Sequence, residues 1–188
     1  LKKLKFLFNK YNALISVKMT TREEEYEAFK EFYYNIINEL HIDGNPKEQA
    51  EKLARDFVYN EDKYVMYDDV YDFLSDASKE HTLILLSDNW PCVYNILKRW
   101  NIYDFFTKIY ISSEYCELKK DGKFFDRPIN EFNIKENEAI FVDDNPDLLV
   151  VAVKKKLSPI LMDRANNYRQ FNKYSRITHL KELNEVGV

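Results

Sequence analysis

Two adjacent carboxylates, Asp143 and Asp144, directly follow an apolar run of strand composition at residues 139–142. A turn-forming pair, Asn145-Pro146, comes next and opens the segment at residues 148–156. In open α/β sheets ligands bind outside the carboxyl ends of the strands, so acids placed there can bind a cation or face a charged ligand. We therefore interpret this stretch as half of a metal and phosphate site. The simpler alternative is a solvated turn whose acids favour the start of a helix.

Five apolar runs that could position such a site alternate with amphipathic helical patterns along the chain. The runs cover residues 4–8, 82–86, 108–112, 139–142 and 158–162. This alternation predicts a Rossmann-like α/β fold, in which a parallel sheet carries helices on both faces. Since parallel strands end at one edge of a sheet, we expect the polar residues that follow these runs to converge there. They are Asn9, Ser87, Lys119, Asp143 and Asp144.

A compact helical region interrupts this alternation near the start of the sequence. Thr21 and Glu24 have the spacing of a capping box, and apolar side chains then recur every three or four residues. A second helix is predicted to begin at Asn45-Pro46, with asparagine as N-cap and proline as the first helical residue. The sequence therefore predicts an α/β core at residues 1–16 and 67–188, with a small all-α cap insertion at residues 17–66.

The composition argues against several classes of protein. The chain has 28 basic and 32 acidic side chains and a net charge of -4, so no basic excess is available to bind a nucleic acid backbone. No apolar run approaches the roughly 18 residues needed to cross a bilayer. The two cysteines, Cys92 and Cys116, and the three histidines lack the spacing of metal ligands. We expect a soluble cytoplasmic protein whose partner is a small molecule rather than nucleic acid or a membrane.

Four segments in order resemble the four sequence motifs of the haloacid dehalogenase-like (HAD) superfamily. They are FNKYNAL at residues 8–14, LILLSDN at 83–89, ISSEYCELKK at 111–120 and IFVDDNPD at 140–147. The resemblance covers nearly the whole chain, up to a closing ITHLKEL at residues 177–183, and the helical insertion lies where the family carries a small cap. One such motif is weak evidence, whereas four in order with suitable spacing are a strong signal.

The resemblance implies a role for each matching residue. In the family an aspartate of the first motif attacks the substrate and forms a covalent intermediate, and Asn9 occupies that position here. A Ser or Thr of the second motif binds the transferred group, which implies this role for Ser87. A lysine neutralises the charge of that group, and acids of the fourth motif hold Mg²⁺. These roles are implied for Lys119 and for the pair Asp143 and Asp144.

Two further positions are implied to contact substrate, Tyr11 and Asp88. The resemblance favours Lys119 over Lys120 as the neutralising lysine because of the apolar positions in the following helix. These positions then fall on Phe125, Ile129 and Phe132. Taken singly, Ser87 is more typical of a turn and either lysine of an ordinary surface charge.

The first motif departs from the family pattern. The neutral amide of Asn9 is not a carboxylate nucleophile, although its oxygen can still coordinate a metal weakly. Tyr11 replaces the second aspartate of the phosphatases and resembles the dehalogenase branch, which generally lacks the acidic pair present here. We predict a HAD-like hydrolase of phosphatase type, acting on a small phosphorylated molecule with weakened Mg²⁺ binding and impaired catalysis. The alternatives are a non-catalytic HAD-fold binding or regulatory protein and, third, a haloacid dehalogenase.

Overall fold

The structure is a computed structural model that describes residues 2–185. The α-helices are α1 (Lys2–Ile15), α2 (Arg22–Leu40), α3 (Pro46–Tyr59), α4 (Val70–Glu80), α5 (Cys92–Arg99), α6 (Ser112–Tyr115), α7 (Lys123–Glu131) and α8 (Pro146–Lys154). The strands are β1 (Ile84–Ser87), β2 (Lys108–Ile111), β3 (Ile140–Asp143), β4 (Ser158–Met162) and β5 (Ser175–Ile177). Short 3₁₀ turns cover Glu61–Lys63, Tyr103–Phe105, Lys119–Asp121 and Leu180–Glu185.

The described strands form two sheets. One contains β1 beside β2, and the other has the order β3-β4-β5 with both pairs parallel. In the second sheet Asp143 lies opposite Leu161, and Met162 lies opposite Ile177. Parallel strands joined through helices confirm the α/β class that the alternating pattern predicts. Strand β5 was not among the strands predicted from the sequence, because three residues are too few to give a recognisable pattern.

Contacts between Cα atoms divide the chain into two compact units. The first unit comprises the residues up to Val65 together with Ser87–Asp104 and Tyr110–Glu117. The second comprises Met66–Leu86, Phe105–Ile109 and the chain from Leu118 onward. The predicted boundaries of a core at 1–16 and 67–188 and a cap at 17–66 remain a prediction.

The first unit is built around an aromatic cluster in which α2 packs on α3. The ring of Phe29 stacks on Phe57 with centroids 4.0 Å apart and meets the edge of Trp90 at 5.0 Å. The capping box at the start of α2 is present, since the Thr21 hydroxyl accepts the Glu24 N–H and the Glu24 carboxylate accepts the Thr21 N–H. The predicted N-cap of α3, Asn45, is also present. Local sequence therefore fixes where both helices begin.

The strand predicted at residues 4–8 is wrong, because this segment lies inside α1. Short apolar runs fit a strand or a buried helical segment equally well. From Leu7 within the run, apolar or aromatic residues recur at Tyr11 and Leu14, at intervals of four and three residues, which is the helical period. Leu14 is buried in the core of the first unit. Packing of this side chain favours the helix over the extended chain.

The core of the second unit lies between α7, α8 and the strands. Phe125, Ala152 and Leu157 form one buried cluster, against which Leu86 and Phe141 pack. A second buried cluster contains the three residues Ile160, Ile177 and Leu183. These clusters hold β3 and β4 and thereby set the edge at which Asp143 emerges.

Across residues 2–185, none of the helices is both long enough and apolar enough to cross a lipid bilayer.

Candidate active site

The turn between β3 and α8 places the two predicted acids at the carboxyl end of a parallel strand. Asp143 is the last residue of β3, and Asn145 is the N-cap of α8, its side-chain oxygen accepting the Asp147 N–H at 2.9 Å. The Asp143 Oδ1 atom accepts the Asn145 N–H at 2.9 Å, which fixes the carboxylate relative to the turn. The strand, the cap and Pro146 as first helical residue are all encoded locally.

Lys119 contacts the Asp143 carboxylate. Its Nζ atom lies 2.6 Å from Asp143 Oδ2, and the two side chains are only 12% and 8% exposed. The ammonium also lies 5.8 Å from the centre of the Phe141 ring. Lys120, the other candidate lysine, is exposed. The structure therefore brings Lys119 to the acidic pair through the 3₁₀ turn that begins with this residue.

Asp144 differs from its neighbour because it is exposed. Within the part of the chain that the structure describes, its carboxylate has neither an ion pair nor a hydrogen bond. One carboxylate is thus held against a lysine, and the adjacent one is available to a ligand. Carboxylate oxygens of this kind suit Mg²⁺, which commonly takes one or two protein carboxylates and completes its shell with waters and phosphate oxygens.

Ser87 and Asp88 lie at the carboxyl end of β1. Ser87 is the last residue of the strand and half-buried, whereas Asp88 is exposed. The next residue, Asn89, connects this end to the segment after β2, since its N–H donates to Ser112 Oγ at 3.0 Å and its carbonyl accepts the Ser113 N–H at 3.3 Å. Both predicted residues therefore occupy the end of a strand, as the sequence indicates, and both belong to the first unit.

Asn9 and Tyr11 do not occupy the end of a strand. Both are exposed residues of α1, and the Tyr11 ring meets the edge of Trp90 at 6.3 Å. The correction of residues 4–8 from strand to helix removes the reason for placing Asn9 next to Asp143. The roles implied for these residues, Asn9 as nucleophile position and metal ligand and Tyr11 as substrate contact, therefore stay a prediction that rests on the sequence resemblance.

Asp163 is an acid at a strand end that the sequence reasoning did not single out. It follows β4 as Asp144 follows β3, so the same rule would have found it. Its buried carboxylate accepts the N–H groups of Asn167 at 2.7 Å and Tyr168 at 2.8 Å, and it pairs with Arg176 at 3.0 Å. Burial raises the pKa of this carboxyl, but the two amides and the guanidinium outweigh it and hold the pKa below its usual value.

A second acidic group lies at the start of α4. Asp68, Asp69 and His179 each offer a ligand atom, all within 4.8 Å of one another. Asp69 is already engaged, because its Oδ1 lies 2.9 Å from the Arg164 guanidinium and its Oδ2 accepts the Leu180 N–H at 2.7 Å. Burial raises the pKa of Asp69, and these partners more than offset it, leaving the pKa lowered. The group ties the end of the chain to α4.

The parallel β3-β4-β5 sheet, with two acids at the end of β3 and a lysine against one of them, defines an α/β protein with a candidate metal and phosphate site. A sequence model described as haloacid dehalogenase-like hydrolase matches residues 4–159, and the chain belongs to this family. No curated protein sequence matches the chain closely.

Solved structures agree with this fold. A 2-haloacid dehalogenase from Pseudomonas syringae pv. Tomato DC3000 superposes with a TM-score of 0.67 at 15% identity, over 98% of this chain and 76% of that one. The putative HAD-hydrolase YfnB from Bacillus subtilis, which is bound to magnesium, gives a TM-score of 0.67 at 16% identity, over 98% and 80%. A HAD phosphatase from Thermococcus onnurineus gives 0.63 at 17% identity, over 90% and 93%. At these identities the likeness establishes the fold.

Proposed function

We propose that this HAD-like hydrolase is of phosphatase type and acts on a small phosphorylated molecule. The observation that carries the proposal is the contact of Lys119 with Asp143, with the exposed Asp144 beside it. An ammonium close to a strand-end carboxylate can neutralise a phosphoryl group, and the two acids offer the oxygen ligands of Mg²⁺. The net charge of -4 favours a small-molecule partner over nucleic acid.

Each of these residues has a separate task in the proposal. The Lys119 ammonium is already oriented by Asp143, so it needs little reorganisation to meet a phosphoryl oxygen. Asp143 is fixed by the Asn145 N–H and orients the lysine, while Asp144 faces solvent and is free to turn towards a cation. Bound Mg²⁺ would supply charge stabilisation of the phosphoryl oxygens.

A complete phosphatase site also needs a nucleophile that attacks the phosphoryl group. Asn9 is a neutral residue of α1, so its side chain lacks the charge of a carboxylate nucleophile. We therefore expect phosphate and magnesium binding to be better preserved in this chain than turnover.

The test is a panel of phosphate monoesters, including p-nitrophenyl phosphate, assayed with and without MgCl₂. Lys119→Met and Asp144→Asn should each abolish magnesium-dependent hydrolysis, while the adjacent exposed controls Lys120→Met and Asp147→Asn should retain it. Hydrolysis that persists in Lys119→Met, or whose rate is the same with and without MgCl₂, would contradict the proposal.

A second candidate is a non-catalytic binding or regulatory protein with the same fold. It is favoured by the neutral side chains of Asn9 and Tyr11, which lie within helix α1 at the positions where the resemblance requires two aspartates. This candidate predicts that the chain binds inorganic phosphate or magnesium through Lys119 and Asp144 but turns over no ester in the panel. Magnesium-dependent turnover that is lost in Lys119→Met would exclude it.

A dehalogenase activity is the third candidate. One structural neighbour is a 2-haloacid dehalogenase, and Tyr11 resembles that branch in sequence. Halide release from a set of 2-haloacids, measured with magnesium chelated, distinguishes this activity from phosphate ester hydrolysis. Release that does not exceed the rate in the absence of protein excludes it.

A further inference from the structure

The loop between β4 and β5, residues 163–174, has an unusual composition for this acidic protein. The stretch at residues 164–176 contains four basic side chains and no acidic one. The basic residues are Arg164, Arg169, Lys173 and Arg176. Asparagine and glutamine side chains and three aromatic rings fill most of the remaining positions. Cations, amides and aromatic rings together are the side chains that recognise nucleobases and phosphates.

The base of this loop is held in one conformation. The buried Asp163 carboxylate accepts the N–H groups of Asn167 and Tyr168, and Arg176 bridges Asp163 to the Asn166 side-chain oxygen at 2.8 Å. Arg164 is also engaged, through Asp69. Two of the four cations therefore hold the base of the loop, which restricts the conformations open to the residues between them.

The exposed part of the loop carries a row of aromatic rings. The Tyr168 ring lies 6.4 Å from Phe171, and Phe171 lies 5.9 Å from Tyr174. Tyr168 is 41% exposed. A cavity of about 420 Å³, open to solvent, lies here. It is lined by Asn166, Asn167, Tyr168, Arg169, Gln170 and Phe171.

The lining of this cavity suits a planar heterocycle better than an aliphatic group. The Tyr168 and Phe171 rings offer faces for stacking, and the Gln170 amide offers both a donor and an acceptor for a base edge. The Arg169 guanidinium is exposed and has no ion pair among residues 2–185, so it can stack on a base or meet an anion.

The loop leaves the sheet at the edge that carries the candidate active site. Strands β3 and β4 are parallel neighbours, and Asp143 lies opposite Leu161. Asp163 is two residues beyond Leu161, so the loop begins about 7 Å farther along the strand direction than Asp143. Strand β4 itself lies about 5 Å from strand β3. Asp143, Lys119 and the whole loop belong to the second unit.

We propose that the loop at residues 163–174 binds the base of a nucleotide whose phosphate is the group assigned above to Lys119. The inference names the substrate class of the proposed hydrolase and so rests on that proposed function. Stacking on Tyr168 and hydrogen bonds from Gln170 select the base, and the exposed Arg169 contributes a positive charge beside it. A nucleoside monophosphate has both groups.

The experiment measures binding to the full chain by calorimetry in MgCl₂. The four common ribonucleoside monophosphates are titrated separately against ribose 5-phosphate, which lacks only the base. At least one nucleotide should bind ten-fold or more tightly than ribose 5-phosphate. Tyr168→Ala should weaken the binding of that nucleotide about ten-fold. Tyr168→Phe keeps the ring and should retain the affinity.

The matched control is Tyr34→Ala, which removes a similarly exposed tyrosine, 37% exposed, from α2. It should leave nucleotide affinity unchanged. Equal binding of all four nucleotides and ribose 5-phosphate, or an unchanged affinity in Tyr168→Ala, would overturn the base site while leaving the phosphate site intact.

Titration with free nucleosides separates this inference from the function it rests on. A nucleoside that binds in a Tyr168-dependent manner, in a chain that neither binds ribose 5-phosphate nor hydrolyses any ester, supports the base site and contradicts the phosphatase. Nucleosides and nucleotides that both fail to bind, in a chain that still hydrolyses simple esters, contradict the base site alone.

Discussion

The Lys119 ammonium and the Asp143 carboxylate are 2.6 Å apart, and both side chains are nearly buried. Removing one partner leaves a charge with little access to water, and that cost is much larger than the value of an exposed ion pair.

Lys119→Met should therefore lower the free energy of unfolding by about 3 kcal/mol at pH 7, because Asp143 is left unpaired. Urea unfolding followed by circular dichroism measures this change. The control Lys120→Met removes an exposed lysine and should stay within about 0.5 kcal/mol of the parent. The double variant K119M/D143N should lose less free energy of unfolding than the sum of the losses in the two single variants. Additive losses would show that the two side chains do not interact.

Asp144→Asn should leave the free energy of unfolding within about 0.5 kcal/mol of the parent, because Asp144 is exposed. If Asp144 is a magnesium ligand, the rise in melting temperature that MgCl₂ gives the parent chain should disappear in this variant. Asp147→Asn removes a nearby exposed acid and should keep the rise. The same magnesium response in Asp144→Asn and the parent would remove Asp144 from the proposed metal site.

Glu25 should make the folded chain less stable as the pH rises. Its carboxylate is fully buried, Oε2 accepts the Cys92 N–H at 2.6 Å, and Oε1 has no hydrogen-bond partner in the described chain. Burial raises the pKa of Glu25, against the opposing effects of Cys92, Arg22 and Lys63. A raised folded-state pKa stabilises the fold fully below the unfolded-state pKa, and this contribution is lost as the pH rises through the folded-state value.

The measurement for Glu25 is the free energy of unfolding of the parent minus that of Glu25→Gln, from pH 4 to pH 8. This difference should fall with increasing pH. Glu24→Gln is the matched control, because hydrogen bonds from Thr20 and Thr21 lower the pKa of the exposed Glu24. The free energy of unfolding of the parent minus that of Glu24→Gln should rise with increasing pH, because the contribution of the Glu24 carboxylate is lost as the pH falls. Slopes of the same sign for both residues would contradict the assignment of Glu25 as the buried, readily protonated acid.

Asn9→Asp should neither create magnesium-dependent hydrolysis nor change the free energy of unfolding by more than about 0.5 kcal/mol, since Asn9 is an exposed residue within α1. The assay is p-nitrophenyl phosphate hydrolysis with saturating MgCl₂. A large gain of activity would show that residues 4–8 can form the strand that the sequence pattern predicts, with residue 9 at its end.

Much of the fold was predictable because its signals are local. The capping box of Thr21 and Glu24, the N-caps Asn45 and Asn145, and strand β4 each depend on residues within a few positions of one another. Asp143 and Asp144 belong to this group, since the strand, the acids and the helix cap are contiguous. The family could be inferred from four such local segments in order.

What the sequence by itself determined is therefore the type and order of most elements and the acidic pair at the end of β3. Tertiary structure decided that residues 4–8 are helical, because an apolar run has no period of its own and packing selects its conformation. It also decided that Lys119, the lysine that the resemblance favours, contacts Asp143, and that Asp163 fixes a loop by accepting two amide hydrogens. Sequence spacing can point to such residues, but their contacts depend on where separate segments of the chain meet.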